Sequence, residues 1–327
     1  MTDDLSRFPI LGPRERGSRV HHEVGLPGPA LAGERWTVTS ITGARPGPAL
    51  LVSAGIHGAE YPAIQAAIET SASLDPATLR GTVVVVPVVS LPMFRERAMF
   101  TMPQDGKNPN RFYPGTPDGT YSEQLAWAFT TQFIDQADAY VDLHGGDMVE
   151  ALEPFSICSG GETEAHRKSF EYAKAFGLPW LLVTTRPVQP SPGTTTNAAA
   201  VARGIPSFIA EAGGIGLLEA EPTALLVTGI RRLLGHLEMI GDAPPPPEVE
   251  PAVLSKFEWL YTPTAGMFYP TVAVSSEVQA GDVVGTIGSL TGQQLDEIRS
   301  PVTGRVLFLT TSPAMKENGL LMGIGVR

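Results

Sequence analysis

Apolar and polar positions switch between two periods along residues 34–241. Residues 48–55 form an apolar run closed by a glycine, and 82–89 is almost wholly β-branched, so both predict buried strands. Between them 63–69 is helix-like, with Pro62 where a first helical turn tolerates proline. Residues 122–137 carry Leu125, Ala128, Phe129 and Phe133 at helical spacing, with Ser122 as the expected N-cap. Next come a strand at 139–143, a helix at 163–176 closed by Gly177, strands at 180–184 and 206–210, and a long helix at 217–240. This alternation predicts an α/β domain whose sheet is covered by helices on both faces. Ligands in such sheets gather beyond the carboxyl ends of the strands.

The pattern changes after a proline-rich spacer, 242–251, to short β segments with glycine turns. Gly266, Gly281 and Gly285 recur 38 residues later as Gly304, Gly319 and Gly323. That repeat predicts a small two-fold all-β barrel-sandwich of the lipoyl/biotinyl-carrier type. The expected division is an N-terminal segment 1–33, a catalytic domain 34–241, the linker 242–251 and a β domain 252–327. Ala314-Met315-Lys316 invites comparison with a biotin site. In a carrier the modified lysine sits on the hairpin between the halves, here 289–294, where no lysine occurs. Lys316 therefore reads as an ordinary surface lysine.

Composition narrows the functional classes. A chain of 327 residues suits one large domain plus a smaller one, and a formal charge of −11 argues against non-specific nucleic-acid binding. The single cysteine, Cys158, excludes an intrachain disulfide and a Cys-ligated zinc finger. No apolar run approaches the roughly 18–20 residues that span a bilayer, and the acidic start lacks the apolar core of a signal peptide. A soluble cytoplasmic protein is the default expectation.

Three segments carry candidate chemistry. His57-Gly-Ala-Glu60 and Asp142-Leu-His144-Gly-Gly-Asp147 each follow an apolar strand, and together they offer two imidazoles and a carboxylate. Three such ligands with an open fourth position make a catalytic zinc site. Glu211 ends the run 206–210 just before Gly213 and Gly214. Burying a carboxylate there is costly unless it is paired or functional, so it reads as a general base or as a carboxylate held by helix-terminal amides. Asp142 either orients an imidazole or makes a strand-end hydrogen bond, and Asp147 is similarly open. In the loop 105–115, Arg111 offers a fork for a carboxylate, with Asn110 beside it, or is an exposed loop arginine. His21, His22, His166 and His236 read as surface or partly packed imidazoles. Loop 187–197 is expected to contribute to the pocket.

These pieces, in this order, resemble the succinylglutamate desuccinylase/aspartoacylase family, relatives of the zinc carboxypeptidases. The resemblance runs through Gly55-Ile-His57-Gly-Ala-Glu60, Asp105-Gly-Lys-Asn-Pro-Asn110-Arg111-Phe-Tyr-Pro-Gly115, Asp142-Leu-His144-Gly-Gly and Glu211-Ala-Gly-Gly. It implies a mixed sheet flanked by helices, with one zinc per chain held by His57, Glu60 and His144. It implies Glu211 as general base, Asn110 and Arg111 as holders of a substrate carboxylate, and Arg97 as an oxyanion-stabilising arginine. Pro109 departs from the family, whose members commonly have leucine there. The expected activity is deacylation of an N-acyl amino acid or a related small amine, with a metallocarboxypeptidase acting on small peptides as the alternative. The expected partner is a small N-acylated carboxylate, without nucleic acid or membrane, and homo-oligomers are common in such families.

Overall fold

The computed structural model describes residues 4–185 and 193–327. Nine strands form one mixed sheet in the order β1-β2-β4-β3-β5-β9-β7-β8-β10. They are β1 (Ser18–Gly25), β2 (Arg35–Thr42), β3 (Arg45–Ser53), β4 (Arg80–Val86), β5 (Ala139–His144), β7 (Phe155–Ser159), β8 (Trp180–Thr184), β9 (Ser207–Glu211) and β10 (Ala252–Leu254). A short strand β6 (Glu150–Leu152) leaves this sheet. Six helices accompany it: α1 (Tyr61–Ser73), α2 (Leu91–Glu96), α3 (Tyr121–Gln132), α4 (Glu164–Phe176), α5 (Thr196–Ala202) and α6 (Ala220–His236).

The β-branched runs are explained by two-sided burial. Leu50, Val52, Val83 and Val85 enter a core with α1, α4 and α6, whereas Leu51, Val84 and Val86 enter another with α3 and α5. A continuous apolar strand is the expected signature of a sheet covered on both faces. Strand β3 pairs in parallel with β4 on one side and β5 on the other. The order of connection therefore reverses between β3 and β5, which opens a crevice at their carboxyl ends.

Several boundaries differ from the sequence reading. Helix α3 is capped by Thr120 in a reciprocal box with Glu123, not by Ser122, which is buried and donates to Asp105. The long helix starts at Ala220 rather than 217. Residues before 34 are not outside the sheet, because β1 pairs along its whole length with β2. Strand β10, just beyond the spacer, adds in parallel to β8 rather than to the C-terminal sheets.

Beyond β10 the chain forms β11 (Lys256–Tyr261), β12 (Gly266–Pro270), β13 (Glu277–Val278), β14 (Val283–Gly288), β15 (Gln294–Arg299), β16 (Gly304–Thr310), β17 (Ala314–Met315) and β18 (Leu320–Val326). One sheet runs β11-β18-β16-β13 and the other β15-β14-β12-β17. The 38-residue repeat has a physical counterpart here. Strand β13 of the first copy pairs with β16 of the second, and β17 of the second pairs with β12 of the first. Each half thus lends a short strand to the other around one core that includes Phe268, Val284, Val306 and Ile324. The two units interlock as well, since β6 pairs with β16. Across the same seam Glu153 accepts from Arg305 at 2.7 Å and Ser275 at 2.8 Å, and within its own unit from Trp180 at 2.8 Å.

Candidate metal centre and reaction chamber

His57 and Glu60 lie in the turn between β3 and α1, His144 ends β5, and Glu211 ends β9 directly opposite His144 in the parallel register. The glycines after the two histidines answer to close packing. A Cβ on Gly58 would sit 2.1 Å from the Phe94 backbone nitrogen, and one on Gly145 would sit 2.6 Å from the Ala212 carbonyl oxygen.

Glu60 is buried between the two imidazoles. Its Oε1 lies 2.8 Å from His57 Nδ1 and its Oε2 2.9 Å from His144 Nδ1. The far sides of both rings are already committed. His144 Nε2 lies 3.0 Å from the Asp142 carboxylate, which can only accept, so that nitrogen carries the hydrogen. His57 Nε2 lies 3.1 Å from Asn108 Oδ1, an oxygen that also accepts from the Asn110 N–H. In neutral rings both Nδ1 atoms are then lone pairs facing a carboxylate. The Glu60 Oε2 contact also lacks hydrogen-bond geometry, leaving that buried oxygen unsatisfied. Acceptors converge on acceptors only where a cation sits between them. All three donor atoms lie within 4.8 Å of one another, a set that fits a zinc ion with one position open.

The electrostatics agree. Burial alone would raise the Glu60 carboxyl, but His144 and His57 outweigh it and hold it below the usual carboxylate range. Burial likewise opposes charge on His144, yet Asp142 and Glu60 push its pKa well up. Asp142 itself is fully buried and satisfied, accepting from Ser53 at 2.6 Å, from Thr196 and from His144. It therefore orients the imidazole, the first of its two sequence readings. Replacing it as Asp142→Asn is expected to weaken zinc affinity by about 10- to 100-fold, measured by competition with a chromophoric chelator.

The trio opens into a cavity of about 940 Å³ that Asn110, Arg111, Glu150 and Glu211 also line. Asn110 is buried, and its Oδ1 accepts the Thr196 N–H at 2.9 Å. Its Nδ2 lies 3.4 Å from His144 Nε2, which already donates to Asp142, so the amide hydrogens remain available to a ligand. Arg111 donates to the Asn110 carbonyl at 2.8 Å. Pro109 fits as the first residue of the 3-10 turn Pro109–Arg111, which Asn108 caps. Burial pushes the Arg111 pKa down, with Glu211, Tyr261 and Glu150 opposing. The Glu211 carboxyl is pushed up to about 8 by burial and by Glu60 and Glu150, with His144 and His57 opposing.

Other expected residues fall elsewhere. Arg97 is exposed at the end of α2, where the chain turns through a left-handed conformation (φ 52°), and it does not line the cavity; Met99 and Phe100 of the following loop do. Asp147 accepts the N–H groups of Phe100 and Met148, at 2.8 and 2.7 Å, and so staples that loop. His21 and His22 pair with Thr39 and Ser40, and His236 packs edge-on against Tyr172. His166 does line the cavity, held by Thr163 at 2.6 Å. Residues 187–192 of the expected pocket loop lie outside the described residues, while Thr194, Thr195 and Asn197 line the cavity.

Sequence reasoning missed Glu150, Asn108 and a wall given by the C-terminal unit. That wall includes Phe257, Trp259 and Phe308, and the exposed Lys316 joins the lining. Trp259 stands 4.6 Å from Phe257 and 5.4 Å from Phe308, measured between ring centroids. Asn108 sat inside a motif already noted, but nothing in the sequence signals the wall. Among the described residues no helix is long and apolar enough to cross a membrane.

Residues 46–237 match the family profile described as the succinylglutamate desuccinylase/aspartoacylase catalytic domain. A curated relative, the N-alpha-acetyl-L-2,4-diaminobutyric acid deacetylase of Halomonas elongata, is 30% identical over 250 residues, covering 75% of this chain and 72% of its own length. The product-bound structure of the ectoine utilization protein EutE (DoeB) from Ruegeria pomeroyi superposes with a TM-score of 0.85 at 26% identity, covering 96% of this chain and 97% of that one. A succinylglutamate desuccinylase from Silicibacter sp. TM1040 gives a TM-score of 0.83 at 25% identity, covering 96% of each chain. With the profile spanning more than half of the sequence, this chain belongs to the succinylglutamate desuccinylase/aspartoacylase family and is a hydrolase of amide C–N bonds.

Proposed function

We propose that the protein is a zinc-dependent deacylase that hydrolyses the amide bond of an N-acyl amino acid. The observation that carries this reading is the convergence of two imidazole lone pairs on one buried carboxylate, with Glu211 at the paired strand end. His57 Nδ1, Glu60 and His144 Nδ1 would hold one zinc. Bound there, zinc supplies an electrophile and lowers the pKa of water to about 7. Glu211 takes the proton of the attacking water and delivers it to the departing nitrogen. Burial pushes the Glu211 carboxyl up to about 8, which strengthens the carboxylate as a base toward the attacking water, and the charge of a bound zinc would keep it ionised for that task.

Arg111 and Asn110 hold the substrate carboxylate and so fix the scissile carbonyl beside the metal trio. Arg111→Gln is expected to lower kcat/KM by about 10- to 100-fold, the worth of a charged hydrogen bond (about 1.5–3 kcal/mol), chiefly through KM. Steady-state kinetics on a carboxylate-bearing substrate checks this. The relative from Halomonas elongata, a deacetylase of an N-acetylated amino acid, supports the substrate class. The aromatic wall from the C-terminal unit favours a small substrate over a peptide threaded through the chamber.

The test is metal analysis joined to a panel of N-acyl amino acids, with small peptides alongside. One zinc per chain with release of free amino acid supports the reading. Stepwise loss of C-terminal residues from the peptides would replace it with a carboxypeptidase, and failure to take up zinc would overturn it.

A further inference from the structure

The sheet face that carries His144 continues past the metal trio. In the sheet register His144 lies opposite Glu211, and Glu211 lies opposite Phe155 of β7. The neighbouring row, two residues along each strand and so on the same face, holds Ile209, Ile157 and Leu182. Phe155, Ile157, Ile209 and Leu182 all line the reaction chamber. They make an apolar floor whose Phe155 end lies one strand beyond Glu211, about 5 Å at the usual strand spacing. Ile157 is only half-buried, although it stands between Ile209 and Leu182 in the middle of the sheet, because the chamber lies above it.

The surroundings of this floor are apolar as well. Phe257 packs on Phe155 with ring centroids 5.7 Å apart, and Trp259 and Phe308 continue the aromatic wall. Helix α5, packed against β7 and β9, adds Ala198 and Val201. Outside the metal trio and Glu211, the titratable groups of the chamber come from other segments. Arg111 stands on the 3-10 turn, Glu150 on β6, His166 on α4 and the exposed Lys316 just after β17; β7, β8 and β11 contribute none to the lining. At about 940 Å³ the chamber is near the upper end of the roughly 300–1,000 Å³ typical of ligand pockets, far more than an acetylated amino acid fills.

In the deacylase reading Arg111 and Asn110 hold the half of the substrate that carries the carboxylate. Asn110 meets the row at its His144 end, 3.4 Å from that ring, and the floor lies at the other end, beyond Glu211. We infer that the floor receives the acyl half, so that preferred substrates carry an extended apolar acyl group, a medium-length alkanoyl chain or an arylacetyl group, in place of acetyl. This rests on the deacylase reading and adds to it the nature of the acyl group. An acetyl methyl leaves the floor in water, whereas each further methylene laid on it is worth about fourfold in kcat/KM.

The test measures kcat/KM of the zinc-loaded protein for acetyl, hexanoyl and phenylacetyl amides of alanine, aspartate and 2,4-diaminobutyrate (on its α-nitrogen), which covers a neutral, an acidic and a basic amine half. On the amino acid hydrolysed fastest, hexanoyl or phenylacetyl is expected to be preferred to acetyl by tenfold or more. Ile157→Asn, which puts an amide on the floor, is expected to cut that ratio at least fivefold. Both rates come from one preparation, so the ratio is independent of how much of it is folded; if that variant is inactive, the milder Ile157→Ala is read in the same way. Acetyl hydrolysed as fast as both larger groups, or faster, in the unaltered protein would overturn the inference and leave the deacylase reading standing. A ratio unchanged at Ile157 would overturn it too, because the preference would then arise elsewhere. Hydrolysis of none of the nine compounds removes the deacylase reading with it.

Discussion

Glu211→Gln is expected to lower kcat by about 10²- to 10⁴-fold, the usual worth of a positioned general base, while zinc content stays at one per chain. The amide keeps the size of the carboxyl and removes only its ability to take a proton. No described residue donates a hydrogen bond to the Glu211 carboxylate, so the exchange breaks no side-chain contact that holds β9 in place. The carboxyl is costly to keep where it is. Burial among Glu60 and Glu150 raises its pKa to about 8, so keeping it ionised in the folded chain costs free energy. Removing that unfavourable burial is expected to leave the melting temperature unchanged or raised. Amine release and metal analysis on the same preparation check the prediction. A variant that loses zinc in step with activity would make Glu211 a ligand-supporting group instead.

The second large effect lies at Glu60. Glu60→Gln is expected to empty the zinc site and to cost activity about 10³-fold or more, because several kcal/mol of transition-state stabilisation depend on the ion. The physical reason lies in the two Nδ1 atoms that Glu60 faces. A carboxylate meets both of them and a cation together, whereas an amide brings its own hydrogens and no charge. Equilibrium dialysis against buffered zinc checks this, and a variant that holds zinc as tightly as the unaltered protein would refute it.

Much of the candidate site was legible in the sequence because each of its candidate groups ends or follows a strand. The apolar runs before His57, His144 and Glu211 are long enough to fix their period, and the parallel sheet turns three carboxyl ends toward one crevice. Asp142 was only half legible. Strand alternation puts it on the same side as His144, but whether it orients the ring depends on Ser53 and Thr196, which come from other elements. Arg97 shows the converse. Its place in a familiar stretch of sequence says nothing about how α2 ends, and the left-handed turn there leaves it exposed. The cap of α3 was misplaced by two residues because Thr120 and Ser122 have equal chemistry, and only the reciprocal bond from Glu123 separates them. Glu150 and the aromatic wall were invisible for a different reason. They depend on β6 leaving its own sheet to pair with β16, a contact between segments more than 150 residues apart that no local pattern announces.

That exchanged strand bears on how such enzymes diversify. The candidate metal ligands and the aromatic wall stand on different units, so substitutions in β11 and β16 can reshape the chamber without touching those ligands. Wholesale replacement of the C-terminal unit is another matter. A transplanted sheet must accept β6 at its edge and supply a partner for Glu153, or the segment bearing Glu150 loses its support. Gradual drift at the wall is therefore the open route to new substrates, and domain grafting is the obstructed one.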